Sequence, residues 1–255
     1  MEAWGRRPSQ SLPARIGRRL VQWSMAAPST VAPDRPVVSF TFDDFPKSAA
    51  RGADIVEAAG GRAAFYAATS FMGQRGPMGE MFDVAMIGDL ASRGHEIAAH
   101  THSHLDCARK PIDRVEKDVA ANLVALAEAG LDANISSFAW PYGETTYVAK
   151  RWAADTFATA RGVLPGVNRG DTDRAQLRAV ELGDGETRRK RAFAMLENCI
   201  RSKGWLIFFT HDVSPRPTEF GVSPDLLAEL CKRAAGEGAV VTTPTLGAVL
   251  SGVIN

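Results

Sequence analysis

The chain has 255 residues, of which 45% are hydrophobic and 23% charged, and its formal net charge is +1. This composition excludes a disordered or fibrous protein, and the small net charge gives no reason to expect a nucleic-acid partner. The three cysteines form no CxxC pair, so free thiols are expected rather than disulfides or a cysteine zinc site.

The first 35 residues predict a basic N-terminal arm, followed by one domain over residues 36–255. Residues 1–30 contain five arginines and one glutamate, and Pro13–Met25 favours a short amphipathic helix. We expect this helix to pack on the domain or to be loosely ordered, with contact to a membrane surface as the alternative. No apolar stretch reaches the ~7–15 residues of a secretory signal or the ~20 of a membrane span. We therefore expect a cytoplasmic protein, at the inner face of the membrane if the arm binds lipid.

After residue 36, short apolar segments alternate with helix-like segments, which is typical of a β/α protein with a mainly parallel sheet. Most predicted strands are apolar on both faces, as strands covered by helices on both sides should be. The predicted strands are Val37–Phe42, Ala63–Ala68, His95–His100, Ile135–Trp140, Phe157–Arg161, Trp205–Thr210 and Ala239–Thr242. The clearest predicted helices are Asp113–Ala129, Ala192–Arg201 and Pro224–Ala235. Seven strands favour a distorted (β/α)7 barrel, with a doubly wound open sheet as the alternative.

Two adjacent carboxylates, Asp43 and Asp44, follow the first strand of the domain. Active sites of parallel α/β folds lie at the C-terminal ends of the strands, so both side chains are candidates for catalysis. The alternative is a solvated pair in which Asp44 caps the next helix.

Four of the five histidines lie between residues 95 and 104. His100 and His104 are four residues apart, which places two imidazoles on one side of a helical turn and suits metal binding. We expect His95 to serve the structure and His102 to face away from the ion.

Two later strands also end in candidate residues. The sequence Trp140-Pro-Tyr142-Gly143 predicts a turn that can present a backbone N–H to a ligand oxygen. A wholly apolar strand ends in His211, which can act as a general acid. Residues 162–185 are polar and predict a long loop outside the core.

Together these segments resemble the polysaccharide deacetylases of the NodB-homology family, from about Val37 to the C-terminus. Thr41–Asp44 looks like the family's first motif, His100–His104 like the second, Trp140–Gly143 like the third, and the strand into His211 like the last. The resemblance implies a distorted barrel that hydrolyses the N-acetyl group of an amino sugar or polysaccharide and releases acetate.

The resemblance also implies a metal centre. Asp44, His100 and His104 would hold the ion. Zn²⁺ is expected, and Co²⁺ or Ni²⁺ would suit the same ligands.

For the reaction itself, the resemblance implies Asp43 as general base, His211 as general acid and the Tyr142 N–H as support for the oxyanion. Trp140 and the Tyr142 ring would lie at the mouth and stack on a sugar, with packing as the alternative for both.

The sequence departs from the family at several positions. Ala139 stands where members carry an arginine that pairs with the base, and we expect Arg161 to replace that arginine and to contribute to substrate binding. The family's Asp-Trp motif is not recognisable in residues 162–185, so Asp171 or Asp173 is expected to orient His211. Phe45 and Phe208 stand where members carry glycine and leucine.

Three other functions stay open. The same site suits a non-sugar amide or a formamide, and a His/His/carboxylate triad also occurs in non-haem Fe(II) oxygenases. The third is a barrel that binds glycan or metal without turnover. The paired aspartates argue against an oxygenase, and the presence of Asp43 and His211 beside three ligands argues against a silent barrel. The sequence gives no indication of the oligomeric state.

Overall fold

The computed structural model describes residues 12–131 and 135–254. Its helices are α1 Leu12–Trp23, α2 Ala50–Ala58, α3 Val84–Ser92, α4 Ile112–Glu128, α5 Tyr147–Thr156, α6 Glu186–Ser202, α7 Pro224–Gly236 and α8 Pro244–Leu250. Its strands are β1 Pro28–Val31, β2 Val37–Asp43, β3 Ala64–Ala67, β4 Arg75–Gly76, β5 Gly79–Glu80, β6 Glu96–Ala99, β7 Ser137–Ala139, β8 Thr159–Arg161, β9 Gly170–Asp173, β10 Val180–Glu181, β11 Trp205–Thr210 and β12 Val240–Val241. Single 3₁₀ turns occupy Lys47–Ala49, Thr69–Phe71 and Pro141–Gly143.

The main sheet is parallel and curled. Seven strands follow one another in the order β10-β11-β2-β3-β6-β7-β8, and β12 pairs with the first half of β2. From β2 to β8 each strand lies beside the one that precedes it in this sheet, with no reversal of direction. In a doubly wound sheet, the strand that follows β8 in this sheet would lie beside β2, but that strand is β10 and the neighbour of β2 is β11. This is the order of a sheet that curls round on itself, so the predicted distorted barrel is confirmed and the open sheet is wrong.

Residues 162–185 are more than a polar loop, and that prediction is wrong. The segment contains β9 and β10, and Leu177, Val180 and Leu182 are buried. Leu177 bridges to Arg161 at the β8 edge, and Val180 pairs with Phe208 at the other edge. The segment thus joins the two edges of the curled sheet.

Two faces of the sheet bury different side chains. Along β2, Val38, Phe40 and Phe42 point outward into the large core beneath the helices. The alternate residues Ser39 and Thr41 point inward, where their hydroxyls contact the Trp205 indole and the Phe208 carbonyl. Asp43 continues the inward series, because side chains alternate along a strand.

The predicted helices are found, with one boundary error. The predictions for α4 and α7 agree with the structure within one residue at each end. Helix α6 begins at Glu186, six residues before the predicted start. Its first turns read Glu-Thr-Arg-Arg-Lys-Arg, so no apolar residue there reveals the helical period.

The N-terminal arm is attached to the domain. Helix α1 is followed by β1, which pairs antiparallel with β9, so the arm before residue 36 contains a strand as well as a helix. The amine of Lys150 on α5 donates to the carbonyls of Val21 and Ser24 at the end of α1. Within the described residues no helix has the length and apolarity to cross a bilayer. Contact of the arm with a membrane surface stays a prediction.

Candidate active site

The candidate residues meet at the C-terminal edge of the sheet because their strands are neighbours in register. Thr210 lies opposite Phe42, so His211 and Asp43 leave β11 and β2 at the same level. Asp43 lies opposite Tyr66 in β3, and the Asp44 N–H donates to the Tyr66 carbonyl at 3.0 Å. The next strand, β6, leads directly into His100.

Asp44, His100 and His104 form a compact group of potential metal ligands. One ligand atom from each lies within 4.8 Å of the others, the only such cluster in the part of the chain that the structure describes. The His104 Nε2 lies 3.3 Å from Asp44 Oδ2, and the His100 Nε2 lies 3.8 Å from Asp44 Oδ1. Asp44 and His100 are buried, at 5% and 2% exposure.

The chemistry of these atoms fits a divalent cation. The Nδ1 of His100 lies 2.7 Å from the Ala139 carbonyl, which can only accept, so Nδ1 carries the proton and Nε2 offers its lone pair. Asp44 Oδ1 and His104 Nδ1 are buried and have no hydrogen-bond partner among the described residues. Buried polar atoms without partners are costly, and an ion at the centre of the group would satisfy the carboxylate. One carboxylate and two imidazoles leave positions open for other ligands, as in catalytic zinc sites.

The backbone around the site is strained. Apart from Lys203 at the end of α6, the non-glycine residues with positive φ in the described ranges are Asp44, Thr101, His104 and Tyr142. Left-handed backbone at such residues persists only where surrounding structure requires it. Here the Thr101 hydroxyl accepts from the Leu105 N–H at 2.8 Å and holds the turn that presents His104.

Asp43 is ion-paired with Arg161, which is buried at 1% exposure. The guanidinium reaches Asp43 from β8, inside the barrel, and lies over the rings of Tyr66 and Phe209 at 4.8 and 5.1 Å. Arg161 therefore occupies the place beside Asp43 in which the resemblance implied an arginine. Its side chain is buried against Asp43, and its predicted contribution to substrate binding stays a prediction.

The two neighbouring carboxyl groups have opposite pKa shifts. Burial is the largest single effect and raises the pKa of Asp43, but the charge and hydrogen bond of Arg161 together with His100 and His211 lower it by more, and the pKa falls below its ordinary value. Burial and then the charge of Asp43 raise the pKa of Asp44 well above its ordinary value. In the absence of a cation, Asp43 is the carboxylate that stays ionised.

The imidazoles are held neutral. Burial lowers the pKa of His100 to about 4 and lowers the pKa of His104 well below its ordinary range. Neutral imidazole is the form that binds a metal ion. Both imidazoles therefore have a ring nitrogen that can bind a cation.

His211 bonds to backbone, not to a carboxylate. Its Nδ1 lies 3.3 Å from the Phe220 carbonyl, and burial lowers the pKa of the ring. The predicted partners are elsewhere. Asp173 accepts from the N–H groups of Ala26 and Ala27 and pairs with Lys150 at 2.7 Å, and Asp171 is exposed on β9. The prediction that either aspartate orients His211 is wrong.

The two aromatic residues of the third motif have different places. Trp140 is buried at 1% exposure, and its Nε1 donates to the Ala175 carbonyl at 2.8 Å. The predicted stacking of Trp140 on a sugar is therefore wrong, and packing is its role. Tyr142 is half-buried, with its ring edge-on to His104 at 4.5 Å between centroids. Its backbone has φ 59° and ψ 4°, in the turn that follows β7.

The remaining histidines of the cluster lie away from the candidate ligands. His95 immediately precedes β6, and its Nδ1 accepts from the Ala63 N–H while its Nε2 contacts Glu57. His102 contacts the Thr69 hydroxyl at 2.9 Å. Asp44 does not cap the following turn, whose N-cap is Pro46.

A curled parallel β/α sheet with an Asp/His/His cluster at the C-terminal strand ends defines a distorted β/α barrel with a candidate metal centre. Residues 30–159, just over half of the chain, match the family model described as Polysaccharide deacetylase. The chain belongs to the polysaccharide deacetylase family. The matched region contains the first three motifs but not His211.

Solved structures of the same fold are similar over most of the chain. A family 4 acetyl xylan esterase from Clostridium thermocellum, in complex with a cobalt ion, is 23% identical, with a TM-score of 0.59, and the match covers 86% of this chain and 93% of that one. A peptidoglycan N-acetylglucosamine deacetylase bound to a hydroxamate-type benzamide is 18% identical, with a TM-score of 0.57 and coverage of 87% and 92%. Peptidoglycan deacetylase PdaC from Bacillus subtilis is 16% identical, with a TM-score of 0.53 and coverage of 86% and 93%. No curated protein matches the sequence closely enough to suggest a relative.

Proposed function

We propose that this protein is a metal-dependent hydrolase that removes the acetyl group from an N-acetylated amino sugar in a glycan. One observation carries the proposal: a buried Asp/His/His cluster lies directly beside a second carboxylate, Asp43, that is paired with a buried arginine. Family membership supports the glycan, and the similar fold of two peptidoglycan deacetylases supports N-acetylglucosamine as the sugar.

Asp44, His100 and His104 would hold the metal, with Zn²⁺ as the first candidate. Cobalt is the alternative that the ion in the Clostridium esterase supports, and nickel suits the same ligands. A metal here would supply Lewis acidity toward the acetyl oxygen and make a water molecule acidic enough to attack near neutral pH.

Asp43 takes the proton from the attacking water. The ion pair with Arg161 keeps the carboxylate charged and fixes its position, and the low pKa of Asp43 keeps it ready to accept a proton. Asp44, one residue further on, turns toward the two histidines because its backbone is left-handed. Two adjacent aspartates thereby serve two tasks, proton transfer and metal binding.

The amide is then cleaved with help from two further groups. The backbone N–H of Tyr142 donates to the oxygen that becomes negative when the carbonyl is attacked, which is worth on the order of 100-fold in rate. His211 donates a proton to the nitrogen of the sugar as the C–N bond breaks. The products are acetate and a free amino sugar.

The test is acetate release by the metal-loaded protein from N-acetylglucosamine oligomers, with small linear and cyclic amides and formamides as competing substrates. Asp43→Asn should lower turnover by about 10²–10⁴-fold and leave the bound metal unchanged. Asp171→Asn, which changes an exposed carboxylate on β9, should leave turnover unchanged.

Acetate release confined to the oligomers would support the proposal. Turnover confined to small amides or formamides would assign the site to the alternative substrate class. Metal-loaded wild-type protein without activity on any acetylated compound would contradict the proposal and favour a binding barrel.

A further inference from the structure

The partner of His211 is a main-chain carbonyl that several donors hold in place. Besides the His211 Nδ1, the carbonyl of Phe220 lies within hydrogen-bond distance of the His211 N–H and the Thr210 hydroxyl, at 3.2 Å each. No described carboxylate lies within ion-pair distance of the ring. A carbonyl has no proton to give, so it accepts from Nδ1 and Nε2 is left as the atom that exchanges a proton.

The segment that carries Phe220 is fastened by Asp212, the residue after His211. The buried carboxylate of Asp212 accepts from the Thr218 N–H at 2.9 Å and from the Thr218 hydroxyl. The Asp212 carbonyl accepts from the Val222 N–H at 2.9 Å, which closes the loop at its base. A Cβ at Gly221 would overlap the Asp212 carboxylate, so this position requires glycine.

We propose that the Phe220 carbonyl takes the place of a carboxylate in orienting His211, and that the Asp212–Thr218 contact is the device that positions this carbonyl. The inference rests on the proposed function, in which His211 protonates the leaving nitrogen. Asp212 and Thr218 are positioning residues, because neither touches the reacting atoms.

The Phe220 carbonyl affects how readily His211 donates its proton during cleavage of the C–N bond. His211 first takes up one proton from solvent on Nε2, so that the imidazolium has a hydrogen on each ring nitrogen. As the C–N bond breaks, its electron pair goes to the sugar nitrogen, which takes the Nε2 proton and leaves as a neutral amine. The imidazole becomes neutral with its Nδ1–H still on Phe220. A carbonyl dipole stabilises the imidazolium less than a carboxylate would, so the ring gives up its proton more readily.

The test compares Thr218→Val with Thr218→Ser in the zinc-loaded protein. Valine has the shape of threonine but no hydroxyl, whereas serine keeps the hydroxyl. Two substrates are used: an N-acetylglucosamine oligomer, whose amine needs a proton to leave, and 4-nitrophenyl acetate, whose phenolate does not. Metal content and Tm are measured for each variant.

Thr218→Val should lower kcat on the oligomer by roughly 10–100-fold, because a small misplacement of a catalytic group has an effect of this size. KM, metal content and kcat on the ester should stay within about twofold of the wild type, and Thr218→Ser should restore kcat on the oligomer. In a His211→Ala background the valine should have no further effect. An equal loss on both substrates, or no loss on the oligomer, would overturn the inference.

A spectroscopic readout separates this inference from the proposed function. In ¹⁵N-histidine spectra of zinc-loaded protein, the His211 signals are those absent from His211→Ala. Neutral His211 should carry its proton on Nδ1 in the wild type and should exchange between tautomers in Thr218→Val. A proton on Nε2 in the wild type would contradict the inference, even if acetate release were observed. The Nδ1–H tautomer in a protein without turnover would uphold the inference and reject only the proposed function.

Discussion

At the scale of single residues, the central contact is the ion pair in which the buried Arg161 controls the protonation state of Asp43. Arg161 is the chief positive charge near Asp43 and lowers the pKa of that carboxyl against the effect of burial. In Arg161→Met the opposing charge is lost, so the pKa of Asp43 rises and the base is protonated at higher pH. The acidic limb of kcat/KM should move up by about 1–3 pH units. Arg216→Met, at an exposed arginine, is the control, and an unshifted limb would contradict the role of Arg161.

A second residue-scale prediction concerns Asp44, whose folded-state pKa is raised above its ordinary value by burial and by Asp43. Such a group takes up a proton on folding, so the stability it contributes is present at low pH and is lost as pH rises through the folded-state pKa. An asparagine at residue 44 does not ionise, so Asp44→Asn does not lose stability as the pH rises. Asparagine also tolerates the left-handed backbone at this residue.

In chelator-treated protein at pH 8, Asp44→Asn should therefore raise the free energy of unfolding by about 1–2 kcal/mol, or Tm by roughly 3–6 °C. The advantage should shrink as pH is lowered, and addition of Zn²⁺ should no longer raise Tm. Thermal unfolding followed by circular dichroism measures both effects. A less stable metal-free variant, or a variant that zinc still stabilises, would argue against Asp44 as a ligand.

At the scale of elements, packing of α1 on the domain was expected, but the residue that anchors it was not. Lys150 is fully buried and connects α5 to the end of α1 and to Asp173. Lys150→Met should lower the free energy of unfolding by about 3–5 kcal/mol, because Asp173 and two carbonyls lose their charged partner. The control is Lys190→Met, an exposed lysine paired with Glu186, which should change stability by less than about 0.5 kcal/mol. Equal denaturation midpoints for the two variants would show that the anchor does not stabilise the fold.

The strands and helices that were predicted share a physical signal, and those that were missed lack it. Strand β11 is apolar throughout because both of its faces are covered, and its bounds were predicted without error. Strands β9 and β10 have four and two residues and include charged side chains, so no apolar run marks them. Their pairing with β1 and β11 is a tertiary event that local sequence does not encode.

The same distinction applies within the site. Asp43, Asp44 and the histidines were recognisable because titratable side chains followed apolar strands. The contact of Arg161 with Asp43 was foreseeable, since an arginine that ends a buried strand needs a partner. The contact of His211 with the Phe220 carbonyl could not be predicted, because every residue has a main-chain carbonyl and the residue type does not indicate which one is used. Trp140 was misassigned because an aromatic side chain in a motif looks the same whether it is buried or exposed.

At the scale of the whole molecule, the size of the core predicts that the fold does not depend on the metal. A continuous apolar cluster runs beneath the helices, and a domain of this length buries most of its surface on folding. Chelation should abolish acetate release but keep the far-ultraviolet circular dichroism spectrum. Tm should fall by roughly 6–10 °C from its value with zinc at about 100 times the dissociation constant. Unfolding on chelation at 25 °C would contradict this expectation and indicate a structural role for the metal.

The most direct test of the account is the metal content of purified, zinc-reloaded protein, measured by elemental analysis for the wild type and for His100→Ala. His102→Gln is the matched control, because His102 lies in the same loop but contacts Thr69. We expect one equivalent of metal in the wild type and in His102→Gln, and none in His100→Ala. Wild-type protein that retains no metal after reloading, or His100→Ala that retains a full equivalent, would contradict the assignment of Asp44, His100 and His104 as the metal site.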